Sequence, residues 1–438
     1  MRSFVCLMIL FLALAATAVA NPQEEARTMP DSRVREAIEL MTGFSERTGL
    51  SSERPQWRYL WTDAFAVCNF LGLSRATGEK RYTELALYLV DRVHHTLGRH
   101  RADDSRTGWI SGLGEREGED HPTRGGLRIG KEFPERRPDQ SFDERLEWDR
   151  DGQYFHYLTK WMHALDQLTR LTGNPQFNVW AQELAEAAHH AFTYLPSAGG
   201  PRRMYWKMSI DLKRPLVSSM GQHDPLDGYV TYTQLHSTAA GLPQANDGPR
   251  LNDEIRQAKA MIAADALGTA DPLGIGGLLM DAYRLEQLLR QGSMADLHLL
   301  EAMLEAALKG LQYYAASGEL QLPAEHRLAF RELGLAIGLQ AVRLMGKAAS
   351  RDPIQPHATD GVRLRLQKLV RLRLRELMEY VPFGEKIESF WRDPEHRQSL
   401  TWSEHRDINE VMLATSLVPE GFLVLPPPGL SGLDRGGQ

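Results

Sequence analysis

Cysteine is nearly absent from this chain: of its 438 residues only Cys6 and Cys68 are cysteine. Cys6 falls in a segment expected to be cleaved, so no intramolecular disulfide can form, and a lone Cys68 argues against a cysteine-based metal site. Long apolar runs are also missing beyond the start. The first, Phe4 to Leu14, follows Arg2 and leads to Ala18-Val19-Ala20 before Asn21, the layout of a cleaved secretory signal. Residues 1–20 are therefore predicted to be a signal peptide, and the mature chain to be exported, either periplasmic or secreted. The run is shorter than the ~20 residues of a membrane span, so no membrane span is expected in the mature chain.

An excess of one charge is lacking too. The net charge is −6 with both signs interspersed, which offers nothing for nucleic acid or a membrane surface and leaves a neutral or small substrate as the default partner. There is no His-Glu-x-x-His spacing, phosphate loop or nucleophile elbow, so neither a metal nor a cofactor is predicted. Gly274-Ile275-Gly276-Gly277 follows no strand; close packing of helices explains it better than a nucleotide loop.

What is present is helical periodicity. Residues 56–77 align Leu60, Phe65, Cys68 and Leu71, and 79–97 align Tyr82, Leu85, Ala86, Leu89 and Val93. The design returns at 151–171 and 175–193, where the glycine of Leu171-Thr172-Gly173-Asn174-Pro175 suits a helix end and the proline a helix start. Thr77-Gly78 and Thr172-Gly173 are offset by the same distance as His94-His95 and His189-His190, which marks an internal repeat. Those histidines, on outer helices at equivalent positions, read as structural. Further pairs are expected at 227–240 with 252–267, 272–290 with 295–316, and 326–346 with 363–380. A first helix at 32–48 and a last at 403–417 each lack a neighbour in sequence, and pairing them closes a ring of six hairpins. The links 98–150, 194–226 and 381–402, between hairpins, are long, and long ordered loops tend to carry function.

With its Ala-Thr-Gly-Glu-Lys-Arg-Tyr and Leu-Thr-Gly-Asn-Pro-Gln-Phe turns before alanine-rich helices, the chain resembles the six-hairpin glycosidase superfamily. That resemblance implies an all-α (α/α)6 toroid spanning 21–425 as one domain, with a disordered tail at 426–438. It also implies a carbohydrate substrate, with a glycoside hydrolase as the leading activity. A similar fold hosts polysaccharide lyases and sugar epimerases, so it does not fix the chemistry.

The N-termini of the inner helices and the long loops should open on one face. Glycoside cleavage needs a protonated carboxyl and an ionised one on opposite sides of the bond. Asp149, beside Trp148 in Glu147-Trp148-Asp149-Arg150-Asp151, is the candidate acid, although Asp149 or Asp151 could instead cap the next helix. Asp227 is the candidate base or nucleophile, or alternatively a residue that favours the helix dipole. Asp224, before Pro225, reads as an N-cap. Expected substrate contacts are Trp57, Arg58, Asp63, Trp148, Tyr154, His156, His223, Tyr229, Trp402, His405 and Arg406. Thr401 and Glu404 have capping-box spacing. Cations at the helix starts, Arg58, Arg327 and Arg406, imply either salt bridges or an anionic substrate. Asp63, inside an apolar helix, is either a site residue or half of an ion pair. The charged 98–150 segment is expected to form a lid or rim. Two other functions compete: a lyase in which arginines neutralise a uronate while Tyr154, Tyr229, His156 or His223 moves protons, and a glycan-binding envelope protein without catalysis.

Overall fold

The structure, a computed structural model, describes residues 31–54, 56–219, 221–242, 248–292, 296–351 and 361–427. The expected signal peptide and the tail beyond residue 427 lie outside the described residues.

Among the described residues twelve long helices build the ring and a thirteenth, α12, packs on α10: α1 (Ser32–Arg47), α2 (Leu60–Thr77), α3 (Lys80–Leu97), α4 (Phe155–Thr172), α5 (Gln176–Phe192), α6 (Asp224–Gly241), α7 (Asn252–Met261), α8 (Pro272–Arg290), α9 (Leu297–Ser317), α10 (Ala329–Arg351), α11 (Gly361–Met378), α12 (Val381–Arg392) and α13 (Arg406–Leu417). Helices α2, α4, α6, α8, α10 and α13 each pack on the next and α13 packs back on α2, closing an inner ring. The outer helices α3, α5, α7, α9 and α11 each lie against the inner helix that precedes them, and α1 lies against α13. This is the (α/α)6 toroid, closed by its first and last helices as the sequence predicts.

Inner helices must satisfy neighbours on every side, so α2 buries an unbroken run from Leu60 to Leu73 instead of one stripe. The turns Gly78 and Gly173 both adopt left-handed φ of 73°, which glycine tolerates without strain. Close packing at the glycine run is also observed: a Cβ on Gly276 would lie 2.2 Å from the Gly334 carbonyl oxygen of α10. Gly276→Ala should force α8 and α10 apart and cost about 1–3 kcal/mol, read as a lower denaturant midpoint; an unchanged midpoint would show that the crossing has slack.

Two local expectations are corrected. The 381–402 link is not a long loop: α12 occupies half of it, since Pro382 stands in the first turn where its missing N–H is harmless, and Ile387, Glu388 and Trp391 are buried. The helix expected from residue 151 starts at Phe155, because Gln153 and Tyr154 pair as a strand with Met208 and Lys207.

The chain end plugs the lumen on the side of the inner-helix C-termini. Phe422 stacks on Phe65 with ring centres 4.4 Å apart. His163 and Gln167 of α4 bond the Phe422 carbonyl oxygen at 2.8 and 3.2 Å, Gln287 holds Leu423 and Leu425, and Arg170 donates to the Pro426 carbonyl at 2.8 Å. Burial lowers His163 to about 3, so it stays neutral and can donate. Among the described residues the crater lies at the opposite end, where the inner helices begin.

Candidate active site

The open end holds a crater of about 750 Å³ between the starts of α2, α10 and α13 and the loop carrying Gly130 to Phe133. The 98–150 segment thus forms part of its rim. Its approach is tight at Gly130, where φ is +90° and a Cβ would lie 2.2 Å from the Arg58 carbonyl oxygen. Five of the expected residues meet at this crater: Trp57, Asp63, Asp149, His405 and Arg406. Trp57 is 53% exposed, an open aromatic face. Asp149 is exposed at the end of the short helix Glu144–Asp149 and does not cap α4, whose N-cap is Tyr154.

Asp63 lies in the first turn of α2. Its carboxylate accepts the Tyr59 backbone N–H at 3.1 Å and the Arg58 guanidinium at 3.3 Å. Burial raises its pKa to about 6 against the opposing pull of Arg58. Both readings offered for Asp63, ion pair and crater wall, therefore describe one residue. Across the crater, the hydroxyls of Tyr59 and Tyr157 are 2.6 Å apart.

Tyr157 leads to a second group. Its ring packs against Trp61 and His156, and His156 Nδ1 lies 3.8 Å from Asp224 Oδ1. Behind them three buried aspartates share two cations. Asp227 accepts Lys160 Nζ at 2.7 Å and Thr159 Oγ1 at 2.5 Å. Arg284 lies 2.9 Å from Asp281 and 3.6 Å from Asp227. Three carboxylates facing two cations leave one negative charge unbalanced in a poorly solvated place, which favours retention of a proton. Burial resists ionisation of Asp227, but Lys160 and Arg284 hold its pKa below the usual value. Burial and the Asp227 charge raise Asp224 to about 7 and Asp281 to about 6. Asp224 Oδ2 is buried with no hydrogen-bond partner among the described residues. Burial, then Lys160, lowers His156 to about 4, so it is neutral beside Asp224. Among the described residues, no group of three His, Cys, Asp or Glu could hold a metal ion.

Several expectations need correcting. Asp224 is not the N-cap of α6: His223 holds that position, and no side chain caps the helix. Asp227, the candidate base or nucleophile, is ionised and bonded to Lys160, and the retained proton belongs to its neighbours. Asp151 is no cap either; it is wholly buried and bonded to Arg128 and the Gly130 N–H. Arg58 cannot reach a substrate, because its side chain is fully enclosed between Asp63 and the Thr48 carbonyl. Trp402 is 3% exposed and stacks on Trp391 in the core. Tyr229 is buried and directed outward, its ring 5.9 Å from Lys259 of α7. The Thr401-Glu404 capping box does not form; Ser399 caps the short helix Leu400–Ser403, and Thr401 donates to the Ala324 carbonyl.

Trp148 and Tyr154 pack with Trp206 beside His156, outside the crater lining. His223 Nε2 lies 2.9 Å from the Leu267 carbonyl oxygen. The cationic helix starts are answered on their own helices: Arg58 by Asp63, Arg327 by Glu332 at 2.7 Å and Arg406 by Glu410 at 2.8 Å. Arg47 pairs with Asp407 and Glu410 behind the crater wall. Of the repeated histidine pairs, His94 and His189 are buried and His95 and His190 are not; His94 accepts the Trp161 indole N–H.

Lys160, Asp281 and Arg284 were not picked out from sequence. Their signal was available: Asp281 and Arg284 are charges three apart in the otherwise apolar run Leu278 to Leu285, which is the reasoning that flagged Asp63.

No family model and no curated protein matches the chain. Among solved structures it is similar to cellobiose 2-epimerase from Spirochaeta thermophila DSM 6192, with a TM-score of 0.43 and 12% identity over 89% of this chain and 100% of that one.

Proposed function

We propose that this protein is an exported carbohydrate-active enzyme, a glycoside hydrolase whose proton donor is Asp224. The observation that carries the reading is the carboxyl of Asp224 at the start of α6, buried behind His156 and outside the crater lining, lacking a hydrogen-bond partner at Oδ2 among the described residues and raised to about 7. In this reading the partly exposed His156 moves aside when substrate binds, and Asp224 behind it gives its proton to the glycosidic oxygen as the bond to the anomeric carbon breaks. Asp149, on a different element, takes a proton from the water that attacks that carbon. Asp227, Lys160 and Arg284 set the charge that keeps Asp224 protonated, and Trp57 offers a face for a sugar ring.

The test is incubation of residues 21–438 with neutral and acidic glycans, followed by mass spectrometry of the products. Fragments carrying one added water per cut are expected, and their absence across the panel would contradict the hydrolase reading. One observation favours a second reading, an eliminative lyase: a neutral His156, packed on Tyr157 and partly exposed, can accept a proton from carbon. Fragments lacking the added water would support it.

A further inference from the structure

The crater is not isolated on its face of the ring. A second cleft of about 910 Å³ lies between the 103–106 and 133–140 segments on one side and residues 209–214 on the other. Phe133 lines both cavities and is 50% exposed. Its place is set by backbone, because Phe133 bridges to Arg150 in a strand-like pair and its carbonyl accepts the Asp151 N–H at 2.8 Å. Consecutive residues diverge at that seam: Asp149 lines the crater and Arg150 the cleft.

Many of the charges of the cleft are paired within it. Arg106 is shared by Asp104 at 2.7 Å, Glu135 at 2.6 Å and Asp211 at 3.5 Å. Arg137 pairs with Asp139 and Lys213 lies 3.9 Å from Asp211, while Arg150 and Arg214 donate to neutral groups, Gln140 at 2.6 Å and the Arg136 carbonyl. The paired ions leave lone pairs and N–H groups for hydroxyls and spend most of their field on one another, and the two arginines bonded to neutral acceptors keep N–H groups for sugar hydroxyls. An exposed aromatic between two polar cavities adds a stacking surface at their boundary.

We infer that the crater and this cleft form one binding path for a long, neutral oligosaccharide or polysaccharide, which crosses from one cavity to the other over Phe133. The inference rests on the carbohydrate reading above and extends it from a sugar to a chain of sugars.

Calorimetric titration with cello-, malto-, xylo-, chito- and galacturonate oligosaccharides of graded length tests it. Affinity for one neutral series should rise with length beyond the shortest members. Ser105→Trp, which fills the cleft from an exposed position outside the crater, should weaken the longest ligand about tenfold, roughly 1.4 kcal/mol, and leave the shortest unchanged. Phe133→Ala should also weaken the longest. Binding that is independent of length, or a long ligand indifferent to Ser105→Trp, would overturn the extended path while leaving carbohydrate binding intact. Preference for the galacturonate series would overturn the neutral assignment. Failure of every series to bind wild-type protein would overturn the carbohydrate reading itself and this inference with it.

Discussion

Asp224→Asn is expected to lower turnover on a cleaved glycan by at least about 100-fold, the lower end of what a positioned general acid contributes, while making the fold more stable at pH 8. The second half follows from linkage. The pKa of Asp224 is raised from 3.8 to about 7 in the folded state, so its contribution to stability is fully present below pH 4. It is lost as pH rises through 7, because the folded protein must release or bear a charge that the unfolded chain carries freely. Asparagine has no such charge. The variant and wild type should match near pH 4 and diverge above it, with the variant gaining on the order of 2–4 kcal/mol by pH 8 at about 1.4 kcal/mol per pKa unit. Chemical unfolding at the two pH values measures the divergence. Comparing the two proteins removes the contribution of buried neutral histidines such as His94 and His163, which also respond to acid. A variant that loses activity without gaining stability at pH 8 would make Asp224 an ordinary ionised carboxylate. In wild type, kcat/KM should fall as pH rises above about 7, when the donor loses its proton.

Lys160→Met should destabilise the protein by about 3–5 kcal/mol, because it leaves Asp227 buried without its closest counter-ion. The Lys160 side chain is 10% exposed and that of Asp227 7%, so water cannot substitute for the lost ammonium. Arg284 remains, but at 3.6 Å and shared with Asp281. Adding Asp227→Asn removes the stranded charge, and the double variant should recover most of the loss. A single variant with an unchanged denaturant midpoint would mean that the pair is far better solvated than its geometry indicates. The chemistry should change as well. Without Lys160 the pKa of Asp227 rises, the retained proton is shared with it, and the fall in activity at high pH loses its sharpness.

Both outcomes concern a cluster that the sequence disclosed only in part, and the reason is physical. Helical periodicity and the Gly78 and Gly173 turns are local, so α2 to α5 could be read directly, and the repeat carried the pattern around the ring. The unpaired first and last helices, 32–48 and 403–417, even predicted the closure between α1 and α13. Helix α12, expected as part of a long link, begins with Pro382 in its first turn, where a proline costs a helix nothing. Asp224 was misread for a related reason. An aspartate before proline is a strong local capping signature, but its carboxyl is decided by groups that sequence cannot place beside it: Lys160 on α4, Asp281 and Arg284 on α8. The same blindness made Arg58 and Trp402 look like site residues. Their types are right for a sugar site, and only the fold shows that one is sealed behind Asp63 and the other against Trp391. Asp63, Asp149, Trp57, His405 and Arg406 were reached because a toroid gathers the starts of its inner helices and the loops before them on one face.

The claim on which the account turns is that Asp224 still holds a proton at neutral pH. Carboxyl carbon chemical shifts of aspartate-labelled protein, titrated by NMR and assigned by the signal missing from Asp224→Asn, measure it without knowledge of the substrate. A midpoint of about 7 is expected for Asp224, with that of Asp227 held below the ordinary aspartate value by Lys160 and Arg284. A midpoint for Asp224 near 4 would contradict it and move the search for a proton donor to Asp63.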